Sequence, residues 1–157
     1  MRNHEVIRYQ TRLDSLFEKV KNIQDFELQA EWAKYLCVLV SGYLETAIRA
    51  IYSEYARNKA NKNVANFVSS RLSGFQNPNV DMILQRARAF SPIWADELES
   101  VLNTRDELKN SVNSIVTNRN HIAHGENVGI TYTTIYKYYQ NAIKVMEMIE
   151  NQCYTSK

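Results

Sequence analysis

Leu36-Cys37-Val38-Leu39-Val40-Ser41-Gly42-Tyr43-Leu44-Glu45-Thr46-Ala47-Ile48-Arg49-Ala50-Ile51-Tyr52, residues 36–52, is the stretch on which the fold turns. Two lines of residues run through it at helical spacing. One passes Trp32, Leu36, Val40, Tyr43, Ala47 and Ile51. The other passes Val38, Ser41, Glu45, Ile48 and Tyr52 and faces the other way. A helix that is apolar on two sides needs neighbours on two sides, which is the position of a central helix in a bundle. Asp25 is placed to cap its start. The predicted helix covers residues 27–57, roughly 45 Å at the usual rise.

Working outward, helical patterns repeat on both sides. Before the central helix, residues 4–22 carry Val6, Leu13, Leu16, Phe17 and Val20 on one face. After it comes a helix over 60–73, closed by Gly74. Asn77-Pro78 opens another, with Pro78 suited to a first helical turn, running to about Phe90. Ser91-Pro92 repeats the signal for a short helix through Ile93, Trp94, Leu98 and Leu102. Thr104 and Glu107 match a capping box, so a new helix, or a kink in the old one, is expected at residue 105, running to His124. Thr131 can cap a last helix over 132–152. There is no strand pattern, internal repeat or low-complexity linker. The expected fold is all-α: an up-and-down four-helix bundle with additional short helices, residues 1–157 forming one domain.

Composition agrees. The 157 residues include only 4 Gly and 2 Pro, leaving little room for long irregular segments. A formal charge of +2 neither demands a nucleic-acid or membrane partner nor forbids one that meets a local basic patch. The longest apolar run, near Leu36–Val40, is too short to span a bilayer, and the charged start at residues 1–5 has no apolar signal core. Cys37 lies in an apolar run and Cys153 in the C-terminal tail, without metal-site or redox-motif spacing. A reducing, cytoplasmic setting with no membrane partner is expected.

The densest chemistry lies at the end of the 105–124 helix: Arg119-Asn120-His121-Ile122-Ala123-His124-Gly125. Stepping about 100° per residue, Leu108, Val112, Ile115 and Ile122 fall within roughly 60° of Arg119. Arg119 thus occupies a position that the apolar stripe reserves for a core residue, costly unless it is paired or lines a polar cleft. Asn120 and His124, four apart, share one side; His121 falls away from it. An imidazole can move a proton, a guanidinium can hold phosphate oxygens, and an asparagine can orient either. This set suits attack by a ribose 2′-hydroxyl on the adjacent phosphate with no metal. One helix supplies one histidine, and a symmetric dimer would supply the second. The plainer reading is a solvated Arg/His pair whose imidazole is favoured by the helix dipole.

Those residues resemble the signature of the HEPN superfamily: an Arg, commonly followed by a polar residue, and a His a few positions on. Leu39-Val40-Ser41-Gly42-Tyr43-Leu44-Glu45 is similar to the second helix of RiboL-PSP-type HEPN proteins, where an acidic residue follows an apolar run. The resemblance implies a homodimer with two facing motifs. The implied activity is that of a metal-independent endoribonuclease leaving a 2′,3′-cyclic phosphate and needing no cofactor. Such proteins are toxins or anti-phage defence factors, sometimes silenced by a separate antitoxin such as a nucleotidyltransferase-like protein. Carried over by position, Arg119 and His124 are catalytic and Asn120 supports them. Glu45 is either a partner that orients Arg119 or a structural helix glutamate. The alternative is a catalytically inactive HEPN-type module that binds RNA, nucleotides or protein.

Two further groups invite weighing. Tyr132, Tyr136, Tyr138 and Tyr139 follow the motif; they can stack on bases, although three of them have core spacing, and packing is the favoured reading. Arg49, Arg57, Lys59, Lys62 and Arg71 form a basic region able to hold a phosphate backbone, or simply a solvated face. Tyr132 and Arg49 are the candidates for RNA contact.

Overall fold

Asp25 starts the central helix as its sequence position demands. Its side chain accepts the backbone N–H groups of Glu27 and Leu28 at 2.9 and 3.1 Å. The computed structural model describes residues 1–155. Among these lie seven helices and no strand: α1 His4–Lys21, α2 Phe26–Lys59, α3 Lys62–Ser73, α4 Val80–Phe90, α5 Pro92–Thr104, α6 Asp106–Ala123 and α7 Tyr132–Thr155. The expected all-α class holds.

Cross-helix contacts give the directions. Tyr43 meets Tyr139 edge-on and the Tyr154 hydroxyl donates to Glu54, so α2 and α7 run parallel. Phe17 stacks on Tyr139 while the backbone N–H of Asn3 donates to Glu150, so α1 runs antiparallel to α7. In α6, Ser111 receives a hydrogen bond from Asn141, and the Ile115 carbonyl accepts from the Cys37 thiol at 3.5 Å. With Tyr43 level with Tyr139, those pairs set α6 antiparallel to α2 and α7. The result is an up-and-down four-helix bundle, with α3, α4 and α5 inserted between α2 and α6.

α2 carries both apolar lines into this core. Leu36, Val40, Tyr43, Ala47, Ile48, Ile51 and Tyr52 are all buried. Full burial of each large side chain contributes about 1.5–3 kcal/mol, which is what compels the long helix to sit at the centre. By length and composition α2 could cross a membrane, contrary to the reading from its apolar run. However, 61% of the qualifying window is buried inside the bundle, as in a core helix. Gly42 serves a close approach: a Cβ there would stand 2.8 Å from the Tyr9 hydroxyl, which donates to the Leu39 carbonyl.

Three local expectations are corrected. Thr104 does not cap α6; it remains the last residue of α5 and its hydroxyl donates back to the Val101 carbonyl. Arg105 separates the helices and pairs with Glu107. Pro78 precedes its helix, because Asn79 accepts the N–H of Met82 and starts α4 two residues later than expected. Cys153 is part of α7 and buried, so it is a core residue and not a tail thiol. Both cysteines are free, and burial pushes each thiol up to about 12.

The end of the bundle where α1 begins is closed by a polar cluster. Glu150, only 2% exposed, accepts the backbone N–H groups of Arg2 and Asn3 at 2.7–2.8 Å. Asn3 caps α1 with its carbonyl oxygen and donates its amide to Glu54 at 2.7 Å. The Arg2 guanidinium covers the Tyr154 ring.

Candidate functional site

The motif lies at the opposite end, where α6 stops. Leu108, Val112 and Ile115 are fully buried, and the stripe then gives way: Arg119 is half-buried and Ile122 only partly covered. His124 is the C-cap of α6, and Gly125 follows with φ +73°. Gly125 donates its N–H to the Ile122 carbonyl at 3.0 Å and Glu126 to that of His121 at 2.9 Å. This pair of bonds is a Schellman turn, which needs a left-handed residue just past the cap, and glycine adopts that conformation without a Cβ penalty.

The turn decides what each polar side chain does. The Arg119 guanidinium donates to the Asn120 side-chain oxygen at 3.2 Å. The reversal at Gly125 swings Glu126 back onto His121, and the two side chains pair. The His124 imidazole is exposed and has no hydrogen-bond partner among the described residues, while its backbone N–H is tied to the end of the helix. The two histidines are therefore separated, one occupied and one open. Arg119 and Asn120 are joined, whereas His124 makes no side-chain bond to either. Ala123, His124, Gly125, Glu126 and Asn127 are all exposed, so one copy presents this site on an open helix end.

Glu45 does not join the motif. Its carboxylate lies 3.6 Å from Arg49, one turn along α2, and accepts the N–H of Asn77 at 3.3 Å. The geometry explains why. Cys37 sits level with Ile115, and the two helices run in opposite directions. Glu45 is therefore about 12 Å up α2 from that level while Arg119 is about 6 Å below it, too far for an ion pair. The structural alternative for Glu45 is the one realised.

Tyr132 is half-buried against Phe17, stacks on Tyr136, and donates its hydroxyl to the Phe17 carbonyl at 3.1 Å. Burial, with Glu18 and Tyr136 nearby, holds that hydroxyl above its ordinary pKa. Tyr139 is wholly buried on Phe17 and donates to Asp14. Packing is thus the visible role of both. Arg49 donates to the Phe75 carbonyl at 2.6 Å, on the half of α2 away from the motif. The residue that sequence reasoning missed is Glu126. A glycine at the first position past a helix cap signals a chain reversal, and a carboxylate directly after it is then carried back over the last turn.

No group of three or more His, Cys, Asp or Glu side chains able to hold a metal occurs among the described residues. The model of the RiboL-PSP-HEPN family matches residues 7–155, nearly the whole chain. No curated protein and no solved structure matches it. The chain belongs to the RiboL-PSP-HEPN family, as the motif and the central helix led one to expect.

Proposed function

We propose that the protein is a metal-independent endoribonuclease, of the toxin or anti-phage defence type, whose active site forms between two copies of the chain. The observation that carries this reading is the division of labour at the end of α6: an open imidazole at His124 and, on the preceding turn, a guanidinium at Arg119 already bonded to Asn120. In the reaction, one His124 removes the proton from a ribose 2′-hydroxyl. The 2′-oxygen bonds to the adjacent phosphorus, and the bond to the 5′-oxygen breaks. The second copy's His124, protonated, gives its proton to that leaving oxygen. Arg119 holds the non-bridging oxygens as charge gathers on them. The products are a 2′,3′-cyclic phosphate and a 5′-hydroxyl. Membership of a HEPN family supports an RNA- or nucleotide-related role. A cytoplasmic setting, and a separate antitoxin such as a nucleotidyltransferase-like protein, belong to the same proposal.

Incubation with RNA in excess EDTA tests it directly. Cleavage with cyclic-phosphate ends is expected from the wild type and none from His124→Ala; equal cleavage by the two proteins would sink the assignment. The absence of any bond between Arg119 and His124 favours a second reading, a catalytically inactive binding module. On that reading neither protein cuts RNA, while His124→Ala alters RNA affinity or oligomer mass.

A further inference from the structure

Between α1, α2 and α3 lies a cavity of about 200 Å³, lined by Glu5, Thr46, Arg49, Ser53, Arg57 and Ser69. Arg49, Ser53 and Arg57 are spaced i, i+4, i+8 and so share one face of α2. Ser69 of α3 faces the same space. The cavity is far from the motif: measured from Cys37, Arg49 and Arg57 lie about 18 and 30 Å along α2, in the direction opposite to Arg119.

Its polar groups are under-used. The Nε of Arg49 is buried with no hydrogen-bond partner. Arg57 has no ion-pair or hydrogen-bond partner among the described residues, and neither have the hydroxyls of Thr46, Ser53 and Ser69. Glu45 offsets part of the Arg49 charge from outside the cavity. Inside it, two guanidiniums meet one carboxylate, that of Glu5. A buried donor without an acceptor, here the Arg49 Nε, is costly, and three hydroxyls beside two guanidiniums match the several acceptor oxygens of a phosphate.

We propose that this cavity binds a phosphate group, carried by a free nucleotide or by a stretch of RNA. It is a second anion site, whose chemistry does not depend on cleavage at His124. Arg57 makes the principal charge contact, the hydroxyls fix orientation, and Glu5 on the wall limits affinity.

The test is titration of the full chain with inorganic phosphate, AMP and a short single-stranded RNA, following the Nε–H signals of Arg49 and Arg57 by NMR. The RNA arm uses His124→Ala so that substrate is not consumed. Both signals are expected to shift with at least one probe. Arg57→Gln should weaken binding by about tenfold, Arg57→Lys should restore part of it, and Glu5→Gln should tighten it. Shifts with AMP assign a nucleotide, and shifts with RNA alone assign a polymer; both support the site. No shift with any probe at millimolar concentration overturns it. So does binding that is the same in Arg57→Gln and Glu5→Gln as in wild type. Circular dichroism confirms that the variants fold. Loss of RNA cleavage on its own leaves these readouts unchanged, so the two proposals fail separately.

Discussion

The two ends of the bundle use polar residues in opposite ways. At the end where α1 begins, Asn3, which caps α1, engages Glu54 of α2 and Glu150 of α7. Within that cluster no group is left to meet a ligand; the cavity of Arg49 and Arg57 is separate from it. At the other end, Arg119, Asn120 and His124 come from one helix terminus, and the imidazole of His124 is left open. The first arrangement holds the chain together; the second leaves an imidazole facing solvent. Burial makes the difference. A carboxylate 2% exposed must be satisfied by the protein, whereas an exposed imidazole is satisfied by water until a ligand replaces it.

This contrast can be broken by substitution. The largest effect on stability is expected at the closed end. Glu150→Ala removes the acceptor for two backbone N–H groups and should cost about 3 kcal/mol in denaturant unfolding. The open end should show the converse. His124→Ala should lower RNA cleavage by at least about 100-fold, roughly 2.7 kcal/mol of barrier, while moving stability by less than about 0.5 kcal/mol. A large stability loss in His124→Ala would erase the distinction between the ends.

Smaller effects sharpen it. Burial raises the Cys37 and Cys153 thiols to about 12, above their unfolded values near 9. Their contribution to stability is therefore complete below about pH 9 and is lost as pH rises toward 12, because the unfolded chain releases these protons first. Urea midpoints should fall between pH 8 and pH 10.5, and a Cys37→Ala, Cys153→Ala variant should flatten that slope. Gly125→Ala forces a Cβ into the left-handed region and should cost about 1 kcal/mol, with Gly125→Asn costing less. His121→Ala breaks only an exposed pair and should change stability by less than about 0.5 kcal/mol and leave cleavage within a few-fold.

Much of the fold was legible because α2 states its two neighbours in its own sequence. Asp25 and Thr131 were readable as caps because each stands just before a helical pattern, and each accepts the N–H expected of it. Thr104 misled because the same hydroxyl can satisfy a carbonyl behind it as readily as an N–H ahead of it. Pro78 misled because Asn79, with a side chain that accepts, took over the start of α4. In the motif, the helical wheel set His124 apart from His121 and beside Arg119 and Asn120; in the fold His121 pairs with Glu126, Arg119 bonds to Asn120, and the His124 imidazole bonds to none of them. The wheel missed the engagement of Glu126, which depends on the turn. The family resemblance left Glu45 as either a partner of Arg119 or a structural glutamate, because the choice depends on how two distant helices are levelled. The cluster of Asn3, Glu54 and Glu150 was invisible for the same reason: only the bundle brings positions 3, 54 and 150 together.

The turn at Gly125 also works as a ruler. It stops α6 at a set place, so the count of residues from Arg119 to His124 becomes an angle around the helix axis. One residue added between them would rotate the imidazole by about 100° and advance it by about 1.5 Å, onto the side now held by His121. The positions between can change their side chains and leave that angle intact. Their number cannot change without moving the imidazole off the face it shares with Asn120.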